Sequence, residues 1–225
     1  MIVLPRHGRQ RGHQRLSLLA AAALFLLTAC HKDLSEQDVS IQGLVPPLAI
    51  SMQDVTTDKP VTAADFQGKV TLLYFGYTNC PDVCPFTLAN IDRILHQIGP
   101  QASKVTVLFV TVDPDRDTPA SLAQYTALFG PNVQGLRGTP DELYSLARRY
   151  RVVFSVTKAT ANTAYQVTHS AAVYVFNAKG KAQFIISGLD TNKPDLTGIA
   201  ADLSDVISQG STPAWLAWLE RLTSG

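Results

Sequence analysis

Cysteine is scarce in this chain. Cys30, Cys80 and Cys84 are the only three among 225 residues, too few for a disulfide scaffold. Internal repeats are absent, and 14 glycines and 13 prolines are ordinary numbers, so collagen-like and disordered classes are excluded. There is no excess of either charge, with 19 Lys and Arg against 18 Asp and Glu. No basic patch points to nucleic acid. The apolar run near the start, Leu16 to Ala29, falls short of the ~20 residues a helix needs to span a bilayer comfortably. What remains is 46% hydrophobic and 16% charged, as in a globular protein with a sizeable core. The length suits one domain plus an export segment and a tail.

The first 29 residues stand apart. Arg6, Arg9, Arg11 and Arg15 lie there with no acidic residue, and the apolar run follows. Charged-then-apolar order is the pattern of a secretory signal. Leu27-Thr28-Ala29-Cys30 resembles the lipobox of bacterial lipoproteins, which are cut before the cysteine and lipidated on its thiol. Cys30 is therefore the expected lipidation site; an uncleaved anchor is the rival. Both readings place the domain outside the cytoplasm on a membrane, as a lipoprotein of the bacterial cell envelope facing the periplasm or the exterior. Without residues 1–29 the chain holds 15 Lys and Arg against 18 Asp and Glu, a net charge of −3.

Residues 30–45 are polar and read as a lipidated tether, residues 46–208 as the folded domain, and residues 209–225 as a tail. Lys69 to Tyr77 and Val105 to Val112 are nearly continuous apolar runs, suited to strands buried on both faces. Phe86 to Ile98 has helical spacing of its apolar residues. Thr118-Pro119 and Thr139-Pro140 each combine an N-cap with a proline at the first helical position, opening helices to about Phe129 and Tyr150. Short strands are expected at Gln134 to Arg137 and Val152 to Val156. Ala172 to Phe176 and Ala182 to Ser187 read as paired strands around a turn ending in Gly180, and Leu196 to Ile207 as a last main helix. This alternation implies an α/β layered domain. A final hairpin plus helix, with two cysteines after the first buried strand, is thioredoxin-like topology: a central mixed sheet flanked by helices. In the tail, Trp215, Leu216, Trp218, Leu219 and Leu222 form an amphipathic stripe, read as packing on the domain's own surface or as a membrane or partner contact.

The chemistry concentrates at Cys80-Pro81-Asp82-Val83-Cys84-Pro85. Two cysteines at i and i+4 share one face of a helical turn, so their sulfurs can converge on one ion or join as a disulfide. A helix start favours thiolates, and soft thiolates select soft ions such as Cu(I). Structural disulfides, zinc sites and redox pairs also use close spacings. Of the five histidines, His7 and His13 lie in the export segment, His31 adjoins the anchor, and His96 sits beside Leu95 away from the cysteine turn. His169 comes just before an expected strand, where a thioredoxin-like sheet faces the cysteine turn. On position alone it is a candidate third ligand, or a structural histidine.

Three spaced motifs carry a resemblance. Tyr74-Phe75-Gly76-Tyr77-Thr78 followed by Cys80 to Pro85, Val112-Asp113-Pro114 with Arg116-Asp117-Thr118-Pro119, and His169-Ser170 ahead of an apolar strand together resemble the SCO/SenC family over roughly residues 46–208. The resemblance implies a copper chaperone that helps assemble the binuclear copper centre of cytochrome c oxidase. It implies copper on Cys80, Cys84 and His169, with the oxidase's copper-bearing subunit, and other copper chaperones, as partners.

The chain departs from the family pattern at Asn79, where a histidine is usual, and at Thr168, where an aspartate is usual. A carboxylate beside the ligand histidine would favour Cu(II), so Thr168 is expected to shift preference toward Cu(I). Asp82 and Asp113 are nearby acids suited to capping and turns. Cys80 and Cys84 are also expected to form a reversible disulfide in the absence of metal. Two other functions compete. A membrane-tethered thiol–disulfide oxidoreductase acting on cysteines of the oxidase subunit would use that pair for exchange, although three residues separate the cysteines where thioredoxin-class reductants have two. A peroxiredoxin-like peroxidase would need a Thr or Ser close before its cysteine, a place that Thr78 could fill, and an Arg partner.

Overall fold

In the buried centre of the protein, two seven-residue strands, β4 (Val70–Gly76) and β5 (Val105–Thr111), are buried at every position. They pair in parallel from Val70 opposite Val105 to Gly76 opposite Thr111. Unbroken apolar runs are what such strands require, because helices or loops cover both faces. The computed structural model describes residues 34–210.

Around this pair the described residues form an eight-stranded mixed sheet in the order β1-β10-β9-β4-β5-β6-β2-β3. Its other strands are β1 (Asp38–Ser40), β2 (Ser51–Asp54), β3 (Lys59–Thr62), β6 (Val133–Arg137), β9 (Val173–Phe176) and β10 (Ala182–Ile186). β6 continues the parallel run beyond β5, whereas β9 joins β4 antiparallel and β10 joins β9 antiparallel. Two further strands, β7 (Phe154–Thr157) and β8 (Gln166–His169), pair only with each other.

Four α-helices accompany the sheet: α1 (Val83–Ile98), α2 (Pro119–Ala127), α3 (Pro140–Arg149) and α4 (Leu196–Gln209). α1 packs against α4, and α2 packs against β6. The expected caps form. The Thr118 hydroxyl accepts the Ser121 N–H, and Thr139 and Glu142 make a reciprocal capping box. Gly180 turns the β9–β10 hairpin at φ 71°, a conformation that suits glycine. Sheet and helices make the α/β, thioredoxin-like fold that the sequence implies.

Two expectations are corrected. The stretch read as a tether is partly folded: β1 is an edge strand on β10, and Asp38 and Ile41 are buried. Its polar sequence hides this because an edge strand need bury only one face. The expected strand at Val152 to Val156 starts at Phe154, and it belongs to the separate ribbon rather than to the main sheet. The β2–β3 hairpin gave no sequence signal. Pro60 lies in β3, which is the sheet's outer strand, a place where proline is tolerated. The expected export segment, Cys30 and the stripe at Pro213 to Leu222 lie outside the described residues.

Candidate metal centre

Strand β4 ends at Gly76, and the chain turns through Tyr77 to Asp82 before α1 begins at Val83. This brings Cys80 to the start of α1 and Cys84 into its first turn. The N-cap residue Asp82 makes no capping hydrogen bond with its side chain. The Cys80 sulfur substitutes, accepting the Cys84 backbone N–H at 3.3 Å. One of the orphan donors of the helix start is thereby aimed at a ligand atom. Capping, expected of Asp82, thus falls to a cysteine.

Ligand convergence is direct. The Cys84 sulfur lies 3.3 Å from Nε2 of His169. One ligand atom from each of Cys80, Cys84 and His169 lies within 4.8 Å of the others, and this is the only such group of three among the described residues. Cys84 is fully buried, Cys80 is 9% exposed and His169 is half-buried, so the site opens at Cys80 and His169 and not at Cys84. His169 Nδ1 sits 3.0 Å from the Ser170 carbonyl oxygen. A carbonyl only accepts, so Nδ1 carries the proton and the Nε2 lone pair faces the sulfurs, as a ligating imidazole requires. The rings of Tyr77 and Tyr74 meet the imidazole edge-on at 5.7 and 6.1 Å between centroids, fixing its plane.

The two thiols are electrostatically unequal. Hydrogen bonding from Cys84, together with the backbone N–H groups of Asp82 and Cys84, outweighs burial and lowers the Cys80 pKa to about 3. The same contact with Cys80, followed by burial, pushes the Cys84 thiol up. These contacts favour the anion on Cys80 and the proton on Cys84 in the reduced, metal-free pair.

The other residues singled out in the sequence fall elsewhere. His96 is exposed and lies 3.7 Å from Asp92. Asn79 is exposed and donates to the Thr78 hydroxyl at 3.3 Å. Thr168 is exposed and shares a 2.7 Å hydrogen bond with the Ser155 hydroxyl across the ribbon. Neighbours along a strand point to opposite faces, so Thr168 faces away from the imidazole and the expected bias toward Cu(I) loses its basis. His169 itself closes strand β8, opposite Phe154, instead of standing in a loop. Asp113 does form a turn, its carbonyl accepting the Arg116 and Asp117 N–H groups, but its buried carboxylate has other partners.

Sequence reasoning gives no role to Gly76. A Cβ at this position would lie 2.6 Å from the Phe109 ring and 2.9 Å from the Cys84 sulfur. The glycine therefore makes room for the ligand. Only its place just ahead of the cysteine turn hints at this.

The fold and the ligand set define a class: a thioredoxin-like domain whose cysteine turn and a facing histidine together form a site for a soft metal ion. The SCO1/SenC family model matches residues 54–206, and the chain belongs to that family. The mitochondrial SCO2 homolog of Bos taurus is 40% identical over 119 residues, covering 52% of this chain and 45% of that protein. Protein sco1 of Schizosaccharomyces pombe is 38% identical over 143 residues, 60% and 52% of the two chains. The chain thus spans about half the length of the curated relatives it matches. Among solved structures, copper-bound ScoI of Bradyrhizobium japonicum is similar at a TM-score of 0.60 and 34% identity, covering 71% of this chain and 98% of that one. Copper-bound ScoI of Arabidopsis thaliana is similar at 0.63 and 30%, with 72% and 98% coverage.

Proposed function

We propose that this protein is a metallochaperone that binds copper through Cys80, Cys84 and His169 and delivers it to the copper-bearing subunit of cytochrome c oxidase during assembly. The observation that carries this reading is the convergence of two sulfurs and one imidazole nitrogen within 4.8 Å of one another. Thiolates suit Cu(I) and imidazole suits either oxidation state. Three protein ligands leave one side for an incoming donor, so cargo can pass by ligand exchange without release into water. Residues of the chain do the holding. Cys80 supplies a ready thiolate, Cys84 yields its proton on binding, and His169 closes the set. The copper-bound relatives support the choice of ion. The Cys30 context supports a lipid anchor that holds the domain at a membrane of the cell envelope.

Purified protein should take up one copper per chain. Cys80→Ala and Cys84→Ala should each abolish tight binding. His169→Ala should weaken binding and alter the Cu(II) optical spectrum. Competition titration against a chelator checks this, and unchanged affinity in all three variants would sink the copper reading.

One observation favours a second reading as thiol–disulfide oxidoreductase. The depressed pKa of Cys80 makes it the nucleophile that disulfide exchange requires, with Cys84 four residues on as the resolving thiol. Reversible oxidation of the copper-free pair would be the basis of such activity. The two readings separate in His169→Ala, which should lose copper affinity while keeping disulfide exchange.

A further inference from the structure

Ribbon β7–β8 carries His169 but makes no ladder with the eight-stranded sheet that carries the cysteines. Backbone pairing reaches the main sheet only at Val173, opposite Tyr74 and four residues after His169, so side-chain contacts also help to set the distance between imidazole and sulfur. The loop after β5 touches both halves of the site. Asp117, fully buried, accepts the Thr78 N–H at 3.0 Å, the Thr78 hydroxyl at 2.6 Å and the Thr111 hydroxyl at 2.6 Å. It thereby ties down the turn leading to Cys80. Four residues earlier, Asp113 is 1% exposed. It accepts Arg116 Nε at 2.5 Å on one carboxylate oxygen and the Tyr165 hydroxyl at 2.6 Å on the other. The Arg116 guanidinium carbon stands 3.7 Å from the Tyr165 ring centroid and 5.9 Å from that of Tyr77. Tyr165 immediately precedes β8, and Tyr77 meets His169 edge-on.

We propose that Arg116, clamped between Asp113 and Tyr165, is a positioning residue that latches the ribbon to the sheet and holds His169 at ligating distance from Cys84; this rests on the copper reading above. Hydrogen bonds to an ionised carboxylate are stronger than neutral ones, and here the carboxylate is buried while the Arg116 side chain is 34% exposed. A guanidinium against a phenol ring adds a planar contact that an ammonium cannot reproduce. The surface ion pair of Lys158 with Asp115 at 2.7 Å lies at the other strand of the ribbon but is exposed, and such pairs contribute little. Phe154 of the ribbon stacks on Tyr144 at 5.0 Å between centroids, and Phe154 and Val167 pack against the core; the polar part of the latch concentrates in three side chains, Asp113, Arg116 and Tyr165.

Two mild substitutions each leave the buried carboxylate one of its two partners. Tyr165→Phe removes only the hydroxyl, and Arg116→Lys keeps the charge but loses the planar stack. Each is placed in the wild-type and His169→Ala backgrounds, and copper affinity is measured by chelator competition. With His169 present, each should cost about ten-fold. In the His169→Ala background each should cost less than about two-fold, since the latch then has no ligand to position. Equal losses in both backgrounds, or no loss in either, would overturn the proposal. Amide hydrogen exchange of the copper-free protein supplies a second readout. Exchange at Val167 to His169 should accelerate in both variants while β4 and β5 stay protected, and unchanged protection in the ribbon overturns the latch. A wild-type protein that takes no copper would overturn the ligand reading instead, and the exchange data would still decide whether Arg116 holds the ribbon.

Discussion

Cys80 and Cys84 have the same side chain, yet one sulfur faces the donors of a helix start and the other is sealed beneath it. The contact between the two sulfurs first, and then burial of Cys84 and the helix-start N–H groups at Cys80, favours the anion on Cys80 and the proton on Cys84. A comparable inequality affects Asp38. It is buried on strand β1 beside Asp202, whose carboxylate accepts the Ser35 N–H at 2.7 Å. Burial first, then the neighbouring carboxyl, raises the Asp38 pKa from 3.8 to about 8. A raised carboxyl pKa means that the folded state keeps a proton which the unfolded chain releases. Its contribution is complete below pH 3.8, declines as pH rises, and is gone above about 8. Asp38→Asn supplies a permanent donor toward Asp202. It should flatten this decline and raise Tm at pH 7 by roughly 2–8 °C. Thermal melts of both proteins from pH 4 to 9 provide the check. Parallel curves would show that Asp38 is ionised in the folded protein.

At the scale of elements, the end of β4 and the start of α1 are built around one missing side chain. Gly76 allows the Phe109 ring on β5 and the Cys84 sulfur on α1 to approach the β4 backbone. Gly76→Ala forces a methyl group into that contact. It should cost about 1–3 kcal/mol of stability by overpacking and weaken copper binding by displacing the sulfur. Denaturant unfolding and chelator competition measure the two effects, and a variant of wild-type stability and affinity would show that the packing there is looser than described. Elements with strong local signals are legible in the residues themselves: β4 and β5 from their apolar runs, α2 and α3 from their cap-and-proline starts. The signals of β1, β2, β3 and the β7–β8 ribbon are weak or missing. These strands are short, lie at an edge or outside the main sheet, and their alternation is diluted by exposed polar residues such as Gln166 and Thr168.

For the whole molecule, folded structure begins close to the proposed anchor. β1 starts at Asp38, eight positions after Cys30, and an extended chain covers at most ~3.6 Å per residue. A lipid on Cys30 would therefore keep the edge of the sheet within about 30 Å of the membrane surface. Among the described residues no helix is long and apolar enough to cross a membrane. Cys30→Ser should move the protein from the membrane fraction to the soluble fraction, or arrest its processing, without changing copper stoichiometry. Fractionation and intact-mass measurement test this. A variant that stays membrane-bound at its usual mature size would exclude lipidation as the tether.

The chain of residues alone determined the α/β class, the central parallel strands, the starts of α2 and α3 and the cysteine pair as the seat of the chemistry. Each of these depends on neighbours within a few positions, through hydrophobic period, cap geometry or i,i+4 proximity. The approach of His169 to Cys84 is a contact between residues 85 positions apart, and the residues alone marked it only as a candidate. Whether Thr168 faces the site, whether Asp82 caps the helix, and which side chains hold the ribbon in place were decided only in three dimensions. Those outcomes depend on which strand pairs with which, and on which buried carboxylate finds which cation. Local sequence carries no record of partners that distant.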